Sequence, residues 1–199
     1  MSLRFALLAL LHEEDVNGYE LAKRFDVGVS HYWHALPQQI YQELSRMEED
    51  ALVVGEVVVQ ERRPNKRRFT ITEAGRSALA AWQQERAPIT VLKSELLVKA
   101  FASDLGPPDA LIESLEEQIA FAREKLAIYG TFRQQMFRGR DEETFLGTTR
   151  RAGPYITLKR GLMFEQGNIE WAEWAIAALK ARLANVPSLE IHATPNAIG

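Results

Sequence analysis

The fold is decided by residues 36–71. They begin Leu36-Pro37-Gln38-Gln39-Ile40-Tyr41-Gln42-Glu43-Leu44-Ser45-Arg46-Met47 and continue, past an acidic turn, into Leu52-Val53-Val54 and Val57-Val58-Val59. They close on Pro64-Asn65-Lys66-Arg67-Arg68-Phe69-Thr70-Ile71. Pro37 suits the first turn of a helix, where a missing N–H costs nothing. Leu36, Ile40, Leu44 and Met47 then form an apolar stripe at spacings of 4, 4 and 3, which is helical. Gln38, Gln39, Gln42, Ser45 and Arg46 lie between its members and face away. The two valine-rich runs are β-branched and read as a strand. Pro64-Asn65 is a turn signal. After it Phe69 and Ile71 alternate against Lys66, Arg68 and Thr70, as in a half-buried strand. Residues 52–71 therefore read as a β-hairpin. Thr72 is placed to cap a helix running to about Arg86.

Upstream, Leu3 to Leu11 is apolar almost all round, like the central helix of a small domain. Phe5 to Leu11, with Arg4 before it, imitates a secretory core, but it has 7 residues, runs directly into His12-Glu13-Glu14-Asp15 and lacks a small-residue cleavage site. It is also far below the ~20 apolar residues of a membrane span. It reads as a buried helix, with no membrane role. Asn17 stands three residues before Glu20, a capping-box spacing. The helix it would start carries Tyr19, Leu21, Ala22 and Phe25 and stops at Gly28. Helix, helix, helix, hairpin, helix is the order of a winged helix-turn-helix, whose third helix enters the major groove while the wing touches the backbone or minor groove.

Charge and polarity fit double-stranded DNA as the partner. Residues 61–68 hold Arg62, Arg63, Lys66, Arg67 and Arg68 against one Glu, a net +4 at the hairpin tip. Glutamines on the outward face of the third helix can pair with the edge of adenine. Against this, residues 1–86 carry 11 Lys+Arg and 13 Asp+Glu. Glu43, Glu48, Glu49 and Asp50 would repel phosphates if they faced them. Binding then requires charge segregation.

Ala87-Pro88 marks a boundary. The expected domains are 1–86, a winged helix-turn-helix, 87–187, a helical dimerisation and effector domain, and 188–199, a loose tail. A short helix is expected over Val91–Leu105, stopped by Gly106-Pro107, and a long one from Pro108 to Phe137. In the long helix Ile112, Leu115, Ile119, Ala122, Leu126, Tyr129, Arg133 and Met136 repeat at 3 and 4, a heptad seam. A loop follows from Arg138 to Gly153. The last helix begins near Pro154, with Tyr155, Leu158, Leu162, Glu165, Ile169, Ala172, Ile176, Leu179, Leu183 and Val186 at the same spacing. Two such antiparallel helices cannot be covered by the short helix beside them, so they are expected to pack on each other and on another chain. The dimer contact is therefore expected at Leu158, Leu162, Ile169, Ile176, Leu179 and Leu183. Trp171 and Trp174 lie beside that seam. They read either as packing residues or as a wall of an aromatic-lined effector pocket. Gly161 and Gly167, on the same helix, admit either a close helix or a ligand.

The composition is ordinary for a globular chain: 199 residues, 46% hydrophobic, 26% charged, net −3, with no cysteine. That excludes disulfides and thiolate metal sites, and fits a cytoplasmic protein. No phosphate-cradling loop, nucleophile elbow or zinc-site His pair is present. His31 and His34 precede Pro37 in an expected loop, so no metal or other cofactor is expected. Trp33 and Trp82 read as core or domain-packing residues. No catalytic set emerges, so an enzyme is not expected.

Four segments together resemble PadR-type transcriptional regulators: Gly18-Tyr19-Glu20-Leu21, Gln39 through Glu48, Pro64 through Phe69, and Thr72-Glu73-Ala74-Gly75-Arg76. Leu158 through Leu162 and Glu170-Trp171-Ala172-Glu173-Trp174 resemble the subgroup related to virulence-gene activators, with its larger C-terminal helical region. The resemblance spans about residues 3 to 185. It implies a cytoplasmic homodimer that binds DNA, dimerises through its C-terminal helices, and responds to a small aromatic or lipophilic effector. It also implies that Tyr41 lies near the DNA backbone. Two positions depart from the pattern: Ala51 stands where a glycine is usual, and Gln42 where many members have proline. The competing reading from another class is a winged-helix protein-interaction module, which an acidic domain would suit. Salt-dependent binding to duplex DNA separates the two.

Overall fold

The computed structural model describes residues 2–13, 16–17, 21, 35–59, 66–89 and 93–185. The expected second helix (apart from Leu21), Trp33, His31, His34, the hairpin tip with Arg62 and Arg63, Val186 and the tail 188–199 lie outside them. The chain forms two compact units, residues 1–90 and 91–199.

The first unit is built from helix α1 (Ser2–Glu13), strand β1 (Val16–Asn17), helix α2 (Pro37–Glu49), strands β2 (Val53–Val58) and β3 (Lys66–Ile71), and helix α3 (Glu73–Gln83). Helix α2 is the one read third in the sequence. The sheet order is β1-β3-β2, antiparallel throughout. Strand β1 was not expected; Asn17, read as a helix cap, is paired with Arg68 across it, and the turn it would cap lies outside the described residues.

The core of this unit is Leu7, Leu8, Leu11, Leu21, Ile40, Leu44, Met47, Val53, Phe69 and Ile71. Ile40, Leu44 and Met47 are buried as the stripe predicts, but Leu36 is 56% exposed. The reason is that Leu36 is the N-cap with extended backbone, so the helical period does not reach it. Thr72 caps α3, its hydroxyl accepting the Gly75 N–H at 3.0 Å. Trp82 stacks on Phe5 with ring centroids 4.7 Å apart.

The second unit contains α4 (Glu95–Phe101), a 3-10 turn (Ser103–Leu105), α5 (Asp109–Phe137), α6 (Glu142–Thr148) and α7 (Gly153–Asn185). Helix α6 lies inside the expected loop. Asp141 caps it, accepting both the Thr144 N–H at 2.8 Å and the Thr144 hydroxyl at 2.9 Å. These bonds hold the Asp141 carboxyl below its ordinary range.

The 33 residues of α7 span about 50 Å. It runs antiparallel to α5, as the ion pairs Arg123–Glu173 (2.9 Å) and Lys180–Glu116 (3.9 Å) require. The seam is largely occupied within the chain. Leu111, Leu115, Ile119, Ala122, Ile169, Ala172 and Ala175 form one cluster, with Ile176 and Leu179 packed against it. Tyr129, Phe145, Tyr155 and Leu158 form a second, with Leu162 packed against it.

Leu158, Leu162, Ile169, Ile176 and Leu179, expected at a partner chain, already pack within this chain. Helix α5 presents a matching seam, and Phe145 of α6 joins it around Leu158 and Leu162. Of the six, only Leu183 is exposed. Leu111, not anticipated in the α5 seam, is buried, and Arg133 is exposed. Gly161 lies on the buried face of α7, whereas a side chain at Gly167 would meet nothing within 4 Å.

Candidate nucleic-acid interface

The burial of α2 on one side leaves the other side to solvent. Gln38, Gln39, Tyr41, Gln42, Ser45 and Arg46 are all exposed. They are not equivalent. Gln39 turns its side-chain oxygen back to accept the Leu36 N–H at 2.9 Å, satisfying a donor that the helix start leaves unpaired. Ser45 donates its hydroxyl to the Tyr41 carbonyl at 3.2 Å. Gln38, Tyr41 and Gln42 are the outward residues of the first turns, on one face with Ser45.

The acidic end of α2 is neutralised from two sides. Arg4, on α1, donates to Glu43 at 2.8 Å and to Asp50 at 2.7 Å. Arg67, on β3, reaches Glu48 at 2.7 Å. Arg46 lies 3.6 Å from Glu43. Three of the four carboxylates that would oppose phosphate therefore hold arginines of the same unit, which supplies the charge segregation that a net acidic domain requires.

The hairpin separates its cations by face. Arg68 lies on the outward face and is exposed, directly across from Glu56 in the ladder. Arg67 shares its face with the buried Phe69, and its guanidinium lies 5.6 Å from that ring centroid. The structure thus places Arg67 against Glu48. The strand alternation that assigned Phe69 and Ile71 inward carries the same information for Arg67. Lys66 opens β3 opposite Val58.

In the second unit, Trp171 packs against the α5–α7 cluster while Trp174 is 68% exposed. The two do not share one environment. Sequence reasoning did not anticipate the aromatic group of Phe137, Phe145 and Tyr155, whose ring centroids lie 4.9–5.6 Å apart. Beside it Lys159 donates to both oxygens of Glu142 at 3.0 and 3.1 Å, holding that carboxyl below its ordinary range. Among the described residues no group of three His, Asp or Glu side chains could hold a metal ion. No described helix is long and apolar enough to cross a membrane.

Residues 7–81 match the Transcriptional regulator PadR-like family, and residues 92–180 the family described as Virulence activator alpha C-term. A probable transcriptional regulator of Mycobacterium tuberculosis is 30% identical over 193 residues, 92% of this chain and 100% of that protein. The structure of the Vibrio cholerae virulence activator AphA is similar with TM-score 0.65 and 28% identity, covering 90% of this chain and 98% of that one. Bacillus subtilis PadR, solved in complex with operator DNA, shares the fold with TM-score 0.74 at 22% identity, covering 90% and 99%. That protein has also been solved in complex with p-coumaric acid. On both halves of its sequence, and over nearly its whole length, this chain belongs to the PadR-like family of transcriptional regulators.

Proposed function

We propose that the chain acts as a homodimer that binds duplex DNA at a pseudo-palindromic operator. Helix α2 reads the major groove and the hairpin grips the backbone. The observation that carries this reading is the division of α2: Ile40, Leu44 and Met47 are buried, while Gln38, Tyr41 and Gln42 stand outward beside a hairpin with an outward arginine, Arg68. The complex of Bacillus subtilis PadR with operator DNA supports it by analogy of fold. In this reading Gln38 and Gln42 contact base edges, Tyr41 lies at the backbone, and Arg62, Arg63, Lys66 and Arg68 meet phosphates.

Selection of bound duplex from a random pool tests the reading. Enrichment of a symmetric site with half-site centres about 10 base pairs apart, or a multiple, is expected. Absence of salt-dependent binding to any duplex would favour a protein-interaction module instead.

The self-contact we assign to the apolar surface that the second unit leaves uncovered. Leu97, Val98 and Phe101 of α4 line an open groove of about 590 Å³ with Lys93, Ser94 and Glu95. Phe101 is 92% exposed. An exposed surface of that kind ordinarily marks a contact. We further propose a small aromatic or lipophilic effector on the second unit near Trp171 and Trp174. The p-coumaric acid complex of the Bacillus subtilis relative supports that class of ligand.

A further inference from the structure

Helix α2 and the hairpin are joined by more than the chain between them. Glu48, in the last turn of α2, accepts from Arg67 Nη2 at 2.7 Å on both carboxylate oxygens. Its Oε1 also accepts the Gly55 N–H of β2 at 3.1 Å. One carboxylate therefore binds a helix to both strands of the hairpin. The position of Gly55 makes this possible. A Cβ there would stand 2.6 Å from Arg67 Nε, 2.9 Å from Glu48 Oε1 and 3.1 Å from Phe69 Cε1. Only a residue without a side chain leaves that space to the ion pair.

We propose that Glu48, Arg67 and Gly55 form a latch that sets the angle of the hairpin against α2. Arg67 then serves DNA binding as a positioning residue and not as a phosphate contact. This rests on the DNA-binding reading above. Recognition needs α2 in the groove and the hairpin on the backbone at once, so their relative orientation is part of the binding surface. An arginine already engaged by a carboxylate brings little net charge to a phosphate. The side chains of Arg67 and Glu48 are 50% and 28% exposed, so the pair adds little to stability. Its contribution is geometric: one guanidinium nitrogen spans both carboxylate oxygens while the same carboxylate holds the Gly55 N–H.

The test uses the full chain, the duplex recovered from the random pool, and a random-sequence duplex of equal length, across a salt series. Glu48→Gln and Arg67→Gln should each weaken binding to the recovered duplex, by about fivefold if the pair acts like a well-formed surface bridge. The Glu48→Gln, Arg67→Gln double variant should bind no worse than either single. The salt slope of log K should stay at its parental value in these variants, while Arg68→Gln should lower it by about 0.9. Tighter binding by Glu48→Gln, as expected from merely removing an anion, would overturn the latch. So would a slope reduced by about 0.9 in Arg67→Gln.

Hydrogen exchange of the Gly55 amide in the free protein gives a readout independent of DNA. It should accelerate several-fold in Arg67→Gln and in Glu48→Gln, and unchanged exchange in both would refute the latch outright. Accelerated exchange in a protein whose parent binds no duplex would instead overturn the DNA-binding reading, and the positioning role with it.

Discussion

Ala51 has φ 55°, in the left-handed region. It is the residue just past the end of α2, where the chain closes a Schellman motif: the Ala51 N–H bonds the Glu48 carbonyl at 3.0 Å and the Leu52 N–H bonds the Met47 carbonyl at 2.8 Å. The geometry demands a positive φ, and a Cβ there costs about 1 kcal/mol. Ala51→Gly should therefore stabilise the chain by up to about 0.5 kcal/mol, after the entropy glycine adds to the unfolded state. A denaturant midpoint at or below the parent's would contradict this. Gly75 presents the reverse case. A Cβ there would lie 2.2 Å from the Leu52 carbonyl oxygen, which is fixed by accepting the Thr72 N–H at 3.0 Å. Gly75→Ala should cost about 1–3 kcal/mol in the same measurement. The missing glycine at position 51 was legible in the sequence as a departure from the family pattern. The demand for one was not, because φ follows from how α2 enters β2.

On α2 the two faces should fail differently. Leu44→Ala opens a hole in the core and should cost about 2–5 kcal/mol of stability. Gln38→Ala with Gln42→Ala should move stability by no more than about 0.5 kcal/mol but relax the preferred base at matched positions in both half-sites, read by repeating the selection. An unchanged site preference would remove this face from the groove.

The division of α2 was legible because a 13-residue helix gives its period room to repeat. Strand β1 was not, since two residues carry no alternation. Helix α6 left a signal in Asp141 and Thr144 that the surrounding charge and glycine concealed. The seam of α7 was legible as a seam, but a 3,4 repeat says that a helix is covered and not by which chain.

Between α5 and α7, burial and then the nearby Glu165 carboxylate push the Tyr129 phenol up to about 12. The folded state thus favours the neutral phenol. Its contribution is complete below the ordinary value near 10 and is lost as pH rises toward 12, on the order of 2 kcal/mol. Tyr129→Phe should remove that loss, so the stability gap between parent and variant should narrow or reverse from pH 10 to 12. A gap constant across that range would refute it.

At the scale of the whole molecule, the packing of the α7 seam within the chain changes how dimerisation is tested. Ile176 and Leu179 pack against the chain's own α5–α7 cluster, so charges there should unfold the second unit whatever the oligomeric state. A discriminating variant must touch only surface. Val98 and Phe101 are three residues apart on α4, 66% and 92% exposed, and neither belongs to a buried cluster. Covering a residue such as Phe101 contributes about 1.5–3 kcal/mol, and a two-fold contact uses each residue twice. Val98→Asp with Phe101→Asp should therefore yield a monomer by analytical ultracentrifugation with helical circular dichroism retained. Because a dimer spans two half-sites and a monomer one, the same variant should lose affinity for the full recovered site far more than for an isolated half-site. A dimeric mass in this variant would move the self-contact off α4. A monomer that keeps full-site affinity would show that the paired half-sites are not read by a dimer at all.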